Sequence, residues 1–384
     1  MTDNAKSLRM AIPEGRFLID VQASDRPLAD LCVVVSRLNA KRPFMMVSKV
    51  LGKHWPTLPE VLTYTHEALA NKIGTIKTPA LFLAFAETAI GLGRGVFESY
   101  YKKTGQKDIL FSQTTRYGLN YPLALKSEEP HSHAPLHFLY EPLGAAELNI
   151  FQTAKTLVLI DDEFTTGQTL LNLVEGYLKI NPSLNRVVLA SLTDWLPAKR
   201  ENAIKDSLGL RLDFVSLLKG SFQFKPNTLA NQRPLDPSIR STGDLALKDA
   251  ILKVNYGRLG LTPEKSLALS QLAAAKAKNL AESLWPAREA RVLGSGEFLH
   301  EPYVLARSLA AYGFKVTFHA TTRSPLILGG AIERVLRFPD NYGEGLDNFL
   351  YNADPNFPGP TILALETPYP SALTTLLGAR EIHF

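Results

Sequence analysis

Apolar and polar positions fall into alternating blocks along this chain, with short aliphatic runs that predict buried strands and longer runs at helical spacing that predict their covering helices. The clearest block is Leu157-Val158-Leu159-Ile160, a strand buried on both faces, followed by Leu170, Leu171, Leu173, Val174, Tyr177 and Leu178 in helical phase. Upstream, residues 17–21 predict a first strand. Residues 27–37 predict a helix, with Leu28, Leu31, Val34, Val35 and Leu38 on one face, and residues 44–47 a second strand. Residues 80–86 and 108–112 predict two more strands, separated by a glycine-bearing loop over 87–93 and a helix over 94–103. Residues 118–135 carry Pro122, Pro130 and Pro135 without periodicity and read as a long loop. Residues 186–192 and 211–218 supply two later strands, with a helix over 195–207 between them. Strands alternating with helices imply a mainly parallel sheet with right-handed crossovers.

The pattern lapses over residues 225–248, where Pro226, Pro234, Pro237 and Gly243 sit among polar residues and mark a linker or strap. This divides the chain into a first domain over 1–224 and a second over 249–384. The second opens on Thr262-Pro263-Glu264, a hydroxyl N-cap, a proline in the first helical position and an acid in the first turn. Beyond it come strand 291–293, loop 294–302, helix 303–312 and strand 314–318, so the second domain is also α/β. Both halves place Thr-Thr-Arg after a strand and downstream of a loop glutamate, Glu87 in one and Glu297 in the other. Common descent and chance similarity of short strings both account for this.

Composition narrows the class. At 384 residues the chain exceeds one typical core. A net charge of +5, spread along the chain, suits anionic small ligands and makes no case for nucleic acid. A disulfide framework is impossible with Cys32 as the one cysteine. The first sixteen residues lack an apolar leader, and no run approaches the ~20 residues that cross a bilayer, so a cytoplasmic location without membrane partners is expected.

The candidate chemistry lies where the clearest strand ends. Asp161-Asp162 places two carboxylates at the C-terminal edge of a parallel sheet, where open α/β folds bind ligands. Thr165-Thr166-Gly167-Gln168-Thr169 then sets hydroxyls and backbone N–H groups at a helix N-terminus, which suits a phosphate dianion. A ligand with vicinal hydroxyls at one end and phosphate at the other, such as a ribose 5-phosphate, fits both. A plain reading remains, with a solvated Asp-Asp and a threonine-rich helix cap. No GxxxxGK[ST] or GxGxxG occurs here. Lys49 and Lys53, flanking Gly52 after a buried strand, are either solvated or anion-facing. His131-x-His133 is weak metal evidence without a third ligand at suitable spacing.

The aliphatic strand, Asp161-Asp162, two variable residues, Thr165-Thr166-Gly167, Gln168 and Thr169 together resemble the phosphoribosyl-diphosphate signature of the type I phosphoribosyltransferases. The resemblance implies a type I phosphoribosyltransferase-like sheet flanked by helices. It also implies an enzyme joining a base or base-like acceptor to 5-phosphoribosyl 1-diphosphate through an N-glycosidic bond, with Mg²⁺ and release of pyrophosphate. Asp161 and Asp162 would hold the ribose hydroxyls and, through the bound donor, the metal; Thr165 to Thr169 would hold the 5′-phosphate. Glu87, Thr88, Ala89 and Lys49 would face pyrophosphate together with Arg116, and 118–135, with His131 and His133, would be the mobile flap. Thr322-Arg323-Ser324-Pro325, with Glu297 upstream and Asp340-Asn341-Tyr342-Gly343 downstream, resembles the TRSP domain. That domain is found behind such transferases in bacterial tellurium-resistance-associated gene clusters. The strand ends at Leu293 and Phe318 are each followed by loop residues with donors and charges, so Glu297 and Arg323 are expected to face the first site or to form a second anion or substrate site beside it. The plain alternative places Arg323 in a structural salt bridge under a Ser-Pro turn. A regulator that senses the donor or a nucleotide without transfer chemistry is the competing reading, and a homodimer is left open.

Overall fold

The structure, a computed structural model, describes residues 6–39, 42–128, 136–227, 248 and 250–384. The elements of the first half are, in order, β1 (Lys6–Ile12), β2 (Gly15–Ser24), α1 (Leu28–Leu31), β3 (Cys32–Ser36), β4 (Phe44–Ser48), α2 (Pro59–Ile73) and β5 (Ala80–Ala84). They continue through α3 (Ala89–Thr104), β6 (Ile109–Gln113), β7 (Leu123–Glu128), β8 (Leu136–Tyr140), α4 (Ala145–Thr153), β9 (Thr156–Phe164), α5 (Gln168–Ile180), β10 (Arg186–Asp194), α6 (Ala198–Leu208) and β11 (Arg211–Pro226). A seven-stranded sheet has the order β1-β2-β11-β10-β9-β5-β6. The five strands from β11 to β6 are parallel, and β2 and β1 add antiparallel at one edge.

Period-two alternation explains why β9 is apolar on both faces. Val158 and Ile160 join Phe82 and Ala84 under Leu69, Phe97 and Tyr100 of α2 and α3. Leu157 and Leu159 join Leu81 and Leu83 under Phe151, Leu173, Tyr177 and Ile204 of α4, α5 and α6. Burying each such side chain is worth roughly 1.5–3 kcal/mol, so both faces hold the strand that carries Asp161.

Three expectations are corrected. The helix over 27–37 shrinks to α1, because Val33, Val34 and Val35 pair antiparallel with Val47, Met46 and Met45 to form a separate β3–β4 ribbon. β-Branched side chains suit a pleated pair better than a helix, and the partner that decides the matter lies beyond the local window. The glycine-bearing loop 87–93 is mostly helix, since α3 begins at Ala89. A Cβ on Gly93 would lie 2.5 Å from the Ala84 Cβ, so this glycine serves close helix–strand approach. The aperiodic loop 118–135 contains β7, which pairs with β8 from Leu123↔Tyr140 to Glu128↔Leu136; His131 and His133 lie outside the described residues.

The second half contains α7 (Pro263–Leu284), β12 (Glu289–Gly294), α8 (His300–Ala311), β13 (Lys315–Ala320), β14 (Val335–Pro339), β15 (Asp347–Tyr351), β16 (Thr361–Leu365), α9 (Leu373–Leu377) and β17 (Arg380–His383). Thr262 caps α7 as its sequence suggests, its hydroxyl accepting from the Lys265 N–H at 3.3 Å. The parallel sheet β13-β12-β16-β17 again alternates. Val292, Ile362 and Ala364 pack with α7 and α8 residues, and Leu293, Leu363 and Leu365 with Phe338, Leu350 and Leu373.

The two halves are stitched through polar groups. Leu38 N–H donates to Pro325 O at 3.3 Å, and Ile327 N–H to Ser36 O at 2.9 Å, so a second-domain segment lies along β3. Arg94 of α3 pairs with Glu301 of α8 and donates to Ser266 Oγ on α7 at 3.1 Å. Arg258, only 2% exposed, reaches across the boundary with Nε 3.4 Å from Thr115 Oγ1. Inside the second domain it donates to Glu366 through Nη1 and Nη2 at 2.8 and 2.9 Å and to Glu297 through Nη2 and Nε at 3.0 and 3.1 Å.

Two stability outcomes follow from this packing. Gly93→Ala gains about 1 kcal/mol of helix propensity but overpacks Ala84 at a cost of about 1–3 kcal/mol; its urea midpoint should fall. Arg258→Met leaves two buried carboxylates uncompensated and should destabilise by about 3–5 kcal/mol, the usual effect of breaking a buried ion pair from one side. Equilibrium unfolding of each variant beside wild type checks both.

Candidate active site

β9 runs on past its aliphatic core because β10 pairs with it as far as Phe164↔Asp194, which carries Asp161, Asp162 and Glu163 to the sheet edge. The Asp162 N–H donates to Asp161 Oδ1 at 2.9 Å. Thr165 and Thr166 then turn into α5 through Gly167, whose φ of 68° favours glycine. A Cβ there would also lie 2.7 Å from Ile204 Cδ1. Arg200 of α6 braces this turn, donating to Thr166 O and Gln168 Oε1, both at 2.9 Å.

These residues, through Thr169, line one wall of a cleft of about 220 Å³. Glu87 and Thr88 stand on its second wall, and Arg116 and His137 also line it. The Ala86–Glu87 peptide is cis. Thr114 organises this wall: its hydroxyl accepts from the Ala86 N–H at 2.9 Å and lies 3.0 Å from His137 Nδ1. Arg116 donates through Nη1 to Leu136 O at 3.3 Å. The β3–β4 ribbon contributes Arg37, Arg42 and Met45 as a roof, with Arg42 Nη2 2.9 Å from Glu163 Oε1. The second domain completes the lining with Thr322, Arg323 and Ser324.

Several charged groups at and beside this cleft are paired within the protein. Lys53, almost wholly buried, pairs with Glu87 and donates to Gly296 O of the second domain at 2.8 Å. Burial pulls the Lys53 ammonium below the usual lysine range, and Glu87 opposes that shift. His54 is pushed down to about 3 by burial and by the Lys53 charge, so it is neutral at physiological pH. Arg323 pairs with Glu344, donates to the Tyr117 hydroxyl at 2.6 Å and places Nε 4.0 Å from Glu87 Oε2. Burial pushes Glu344 up to about 7 in spite of the neighbouring Arg323.

Several residues singled out in the sequence therefore meet here: Asp161, Asp162, Thr165 to Thr169, Glu87, Thr88, Arg116 and Arg323. Lys49 does not; its ammonium donates to Ala29 O at 2.7 Å and lies 5.3 Å from the Trp55 ring centre, and the cation beside Glu87 is Lys53. Ala89 is buried as the first residue of α3 and does not line the cleft. Glu297 is buried behind it, accepting from Thr115 Oγ1 at 2.6 Å and the Arg116 N–H at 2.7 Å. Arg37, Arg42, His54 and His137 carried no motif that marked them. The Lys-Gly-Lys neighbourhood did point to the 49–53 loop, but burial selects which lysine faces inward.

Residues 31–221 match the family model described as phosphoribosyl transferase, and residues 255–379 match the model of the TRSP domain C-terminal to it. No curated protein sequence matches. Among solved structures, the adenine phosphoribosyltransferase of Leishmania donovani is similar at 17% identity and a TM-score of 0.35, over 50% of this chain and 78% of that one. The Trypanosoma brucei enzyme, solved with AMP, pyrophosphate and ribose-5-phosphate, is 13% identical with a TM-score of 0.35, over 55% and 86%. The Giardia lamblia enzyme, solved with 9-deazaadenine, is 16% identical with a TM-score of 0.33, over 50% and 97%. Likenesses this distant carry no argument beside the two family matches. Those matches cover the transferase core and the domain behind it in the order the fold displays, and the chain belongs to the phosphoribosyltransferase family that carries a C-terminal TRSP domain.

Proposed function

We propose that this phosphoribosyltransferase binds 5-phosphoribosyl 1-diphosphate in the cleft between the Asp161–Thr169 wall and the Glu87–Thr88 wall, and transfers the phosphoribosyl group to a ring nitrogen of a base-like acceptor. The observation that carries this reading is the shared wall: two carboxylates suited to a diol stand beside a threonine-rich turn at the start of a helix suited to a phosphate. The C1–O bond to pyrophosphate breaks with its electron pair, and the acceptor nitrogen forms the new bond. Asp161 and Asp162 would hold the ribose hydroxyls and offset the oxocarbenium-like charge on the sugar. Thr165, Thr166 and Thr169, with the N–H groups opening α5, would fix the 5′-phosphate. Arg116 would stand near the departing pyrophosphate, and the Arg37–Arg42 roof would limit water.

Among the described residues no group of three or more His, Cys, Asp or Glu side chains is placed to hold a cation. The donor set fits Mg²⁺, which commonly takes one or two carboxylates and completes its shell with substrate phosphates and water. Asp161 and Asp162 would face such an ion through the bound donor, where it would neutralise charge on the leaving group. A sensor without transfer chemistry would bind the donor and leave it intact, so product analysis separates the two readings.

Calorimetry with the donor should show binding that strengthens when Mg²⁺ is added. Asp161→Asn/Asp162→Asn should weaken it by on the order of tenfold to a hundredfold, the loss of one or two charge-assisted hydrogen bonds. Equal affinity of variant and wild type would sink the assignment.

A further inference from the structure

The two domains repeat one another beyond their motifs. In the sheet orders, β6-β5-β9-β10 corresponds to β13-β12-β16-β17. In each, a helix joins the first two strands (α3, α8), a hairpin follows the second (β7–β8, β14–β15), and a helix joins the last two (α5, α9). Strand register fixes the alignment, with Ala84↔Gln113 in one copy and Gly294↔Ala320 in the other. Glu87 then stands three residues past Ala84 as Glu297 stands three past Gly294, and Thr114-Thr115-Arg116 falls on Thr321-Thr322-Arg323. By the same register Asp162 falls on Glu366.

Hydrogen bonds at matched positions repeat too. Ala86 N–H donates to Thr114 Oγ1 at 2.9 Å, and Gly296 N–H to Thr321 Oγ1 at 3.0 Å. Thr114 N–H donates to Ala84 O at 2.9 Å, and Thr321 N–H to Gly294 O at 3.1 Å. Thr115 exchanges backbone bonds with Phe138, and Thr322 does the same with Phe349. Chance resemblance of short strings does not reproduce register, hairpin pairing and side-chain bonds together.

The copies also meet as a two-fold pair does, like against like. α3 packs on α8 through Arg94–Glu301, with Glu98 Oε1 3.2 Å from His300 Nε2. The first copy's Arg116 N–H holds Glu297, and the second copy's Arg323 approaches Glu87. The outcome is unequal. In the second copy the guanidinium of Arg258 bonds both Glu297 and Glu366, filling the space between its strand-end loops. Tyr369-Pro370-Ser371 then stands where the first copy has its Thr165-Thr166-Gly167 turn.

We infer that the second domain is a duplicated transferase core whose own site is closed by Arg258, and that its Arg323 is a pyrophosphate-binding residue of the first site. The inference rests on the donor site proposed above. Arg323 reaches the cleft beside Glu87, the wall assigned to the leaving group, and its planar fork matches two phosphate oxygens. Glu344 and the Tyr117 hydroxyl hold it there. The second domain thus supplies within one chain what a partner subunit would supply in a symmetric dimer.

Inorganic pyrophosphate and ribose 5-phosphate, titrated separately into the full chain with Mg²⁺, test this. Arg323→Ala should weaken pyrophosphate binding by about tenfold or more while leaving ribose 5-phosphate affinity within about twofold, and Arg323→Lys should recover part of the loss. Unchanged pyrophosphate affinity in Arg323→Ala overturns the role, as does equal loss of both ligands with a lowered melting temperature. If Arg323→Ala does not fold, Glu344→Gln carries the test. That substitution keeps the acceptor that positions Arg323 and removes only its competing charge, so pyrophosphate binding should tighten, and unchanged or weaker binding refutes the inference. Wild type that binds neither probe shows instead that the donor site is misassigned, and the inference falls with it.

Discussion

The guanidinium of Arg258, clamped between Glu297 and Glu366, is the contact on which the rest of the arrangement depends. One cation shared by two carboxylates in a buried place is costly to desolvate, and its hydrogen bonds must be nearly complete to offset that cost. Here they are, because Glu297 also accepts from Thr115 and from the Arg116 N–H, while the stacked rings of Tyr117 and Tyr342 pack beside the guanidinium. The clamp therefore fixes more than the second domain. It positions the segment from Thr114 to Tyr117, which carries Arg116 into the cleft and supplies the hydroxyl that holds Arg323.

A second consequence is that the cleft is electrostatically poised. Lys53 with Glu87, Arg42 with Glu163, and Arg323 with Glu344 are ion pairs that each include a residue lining it. The polyanionic donor proposed above would meet cations already held in place by the fold, so little reorganisation would be needed on binding. Each pair has one member whose place depends on a distant part of the chain. Lys53 reaches Gly296 across the domain boundary, and Arg42 comes from a ribbon along which residues 325–327 run. Site and domain interface are one construction.

The sequence by itself determined the elements whose pattern is local and unbroken. The strand at Leu157–Ile160, its covering helix and the capped start of α7 at Thr262-Pro263 follow from period and capping chemistry, which act within a few residues. The carboxylate and threonine string after that strand was legible for the same reason, since loop chemistry at a strand end is written in consecutive residues. The family and the α/β class followed from those strings.

Tertiary structure alone decided the rest. Val34 and Val35 read as part of one face of a helix until Met46 and Met45, beyond a proline, offered a pleated partner. Gly93 read as a loop residue, although its missing Cβ is what lets α3 lie against Ala84. Lys49 and Lys53 are chemically alike and close in sequence; only the lysine that another domain covers becomes a buried partner of Glu87. Arg258 lies in no motif, and its role depends on two glutamates far along the chain. Local sequence encodes propensity and donor chemistry, whereas burial, strand pairing and the partner of a charge are set by residues distant in sequence that the fold brings within a few ångströms.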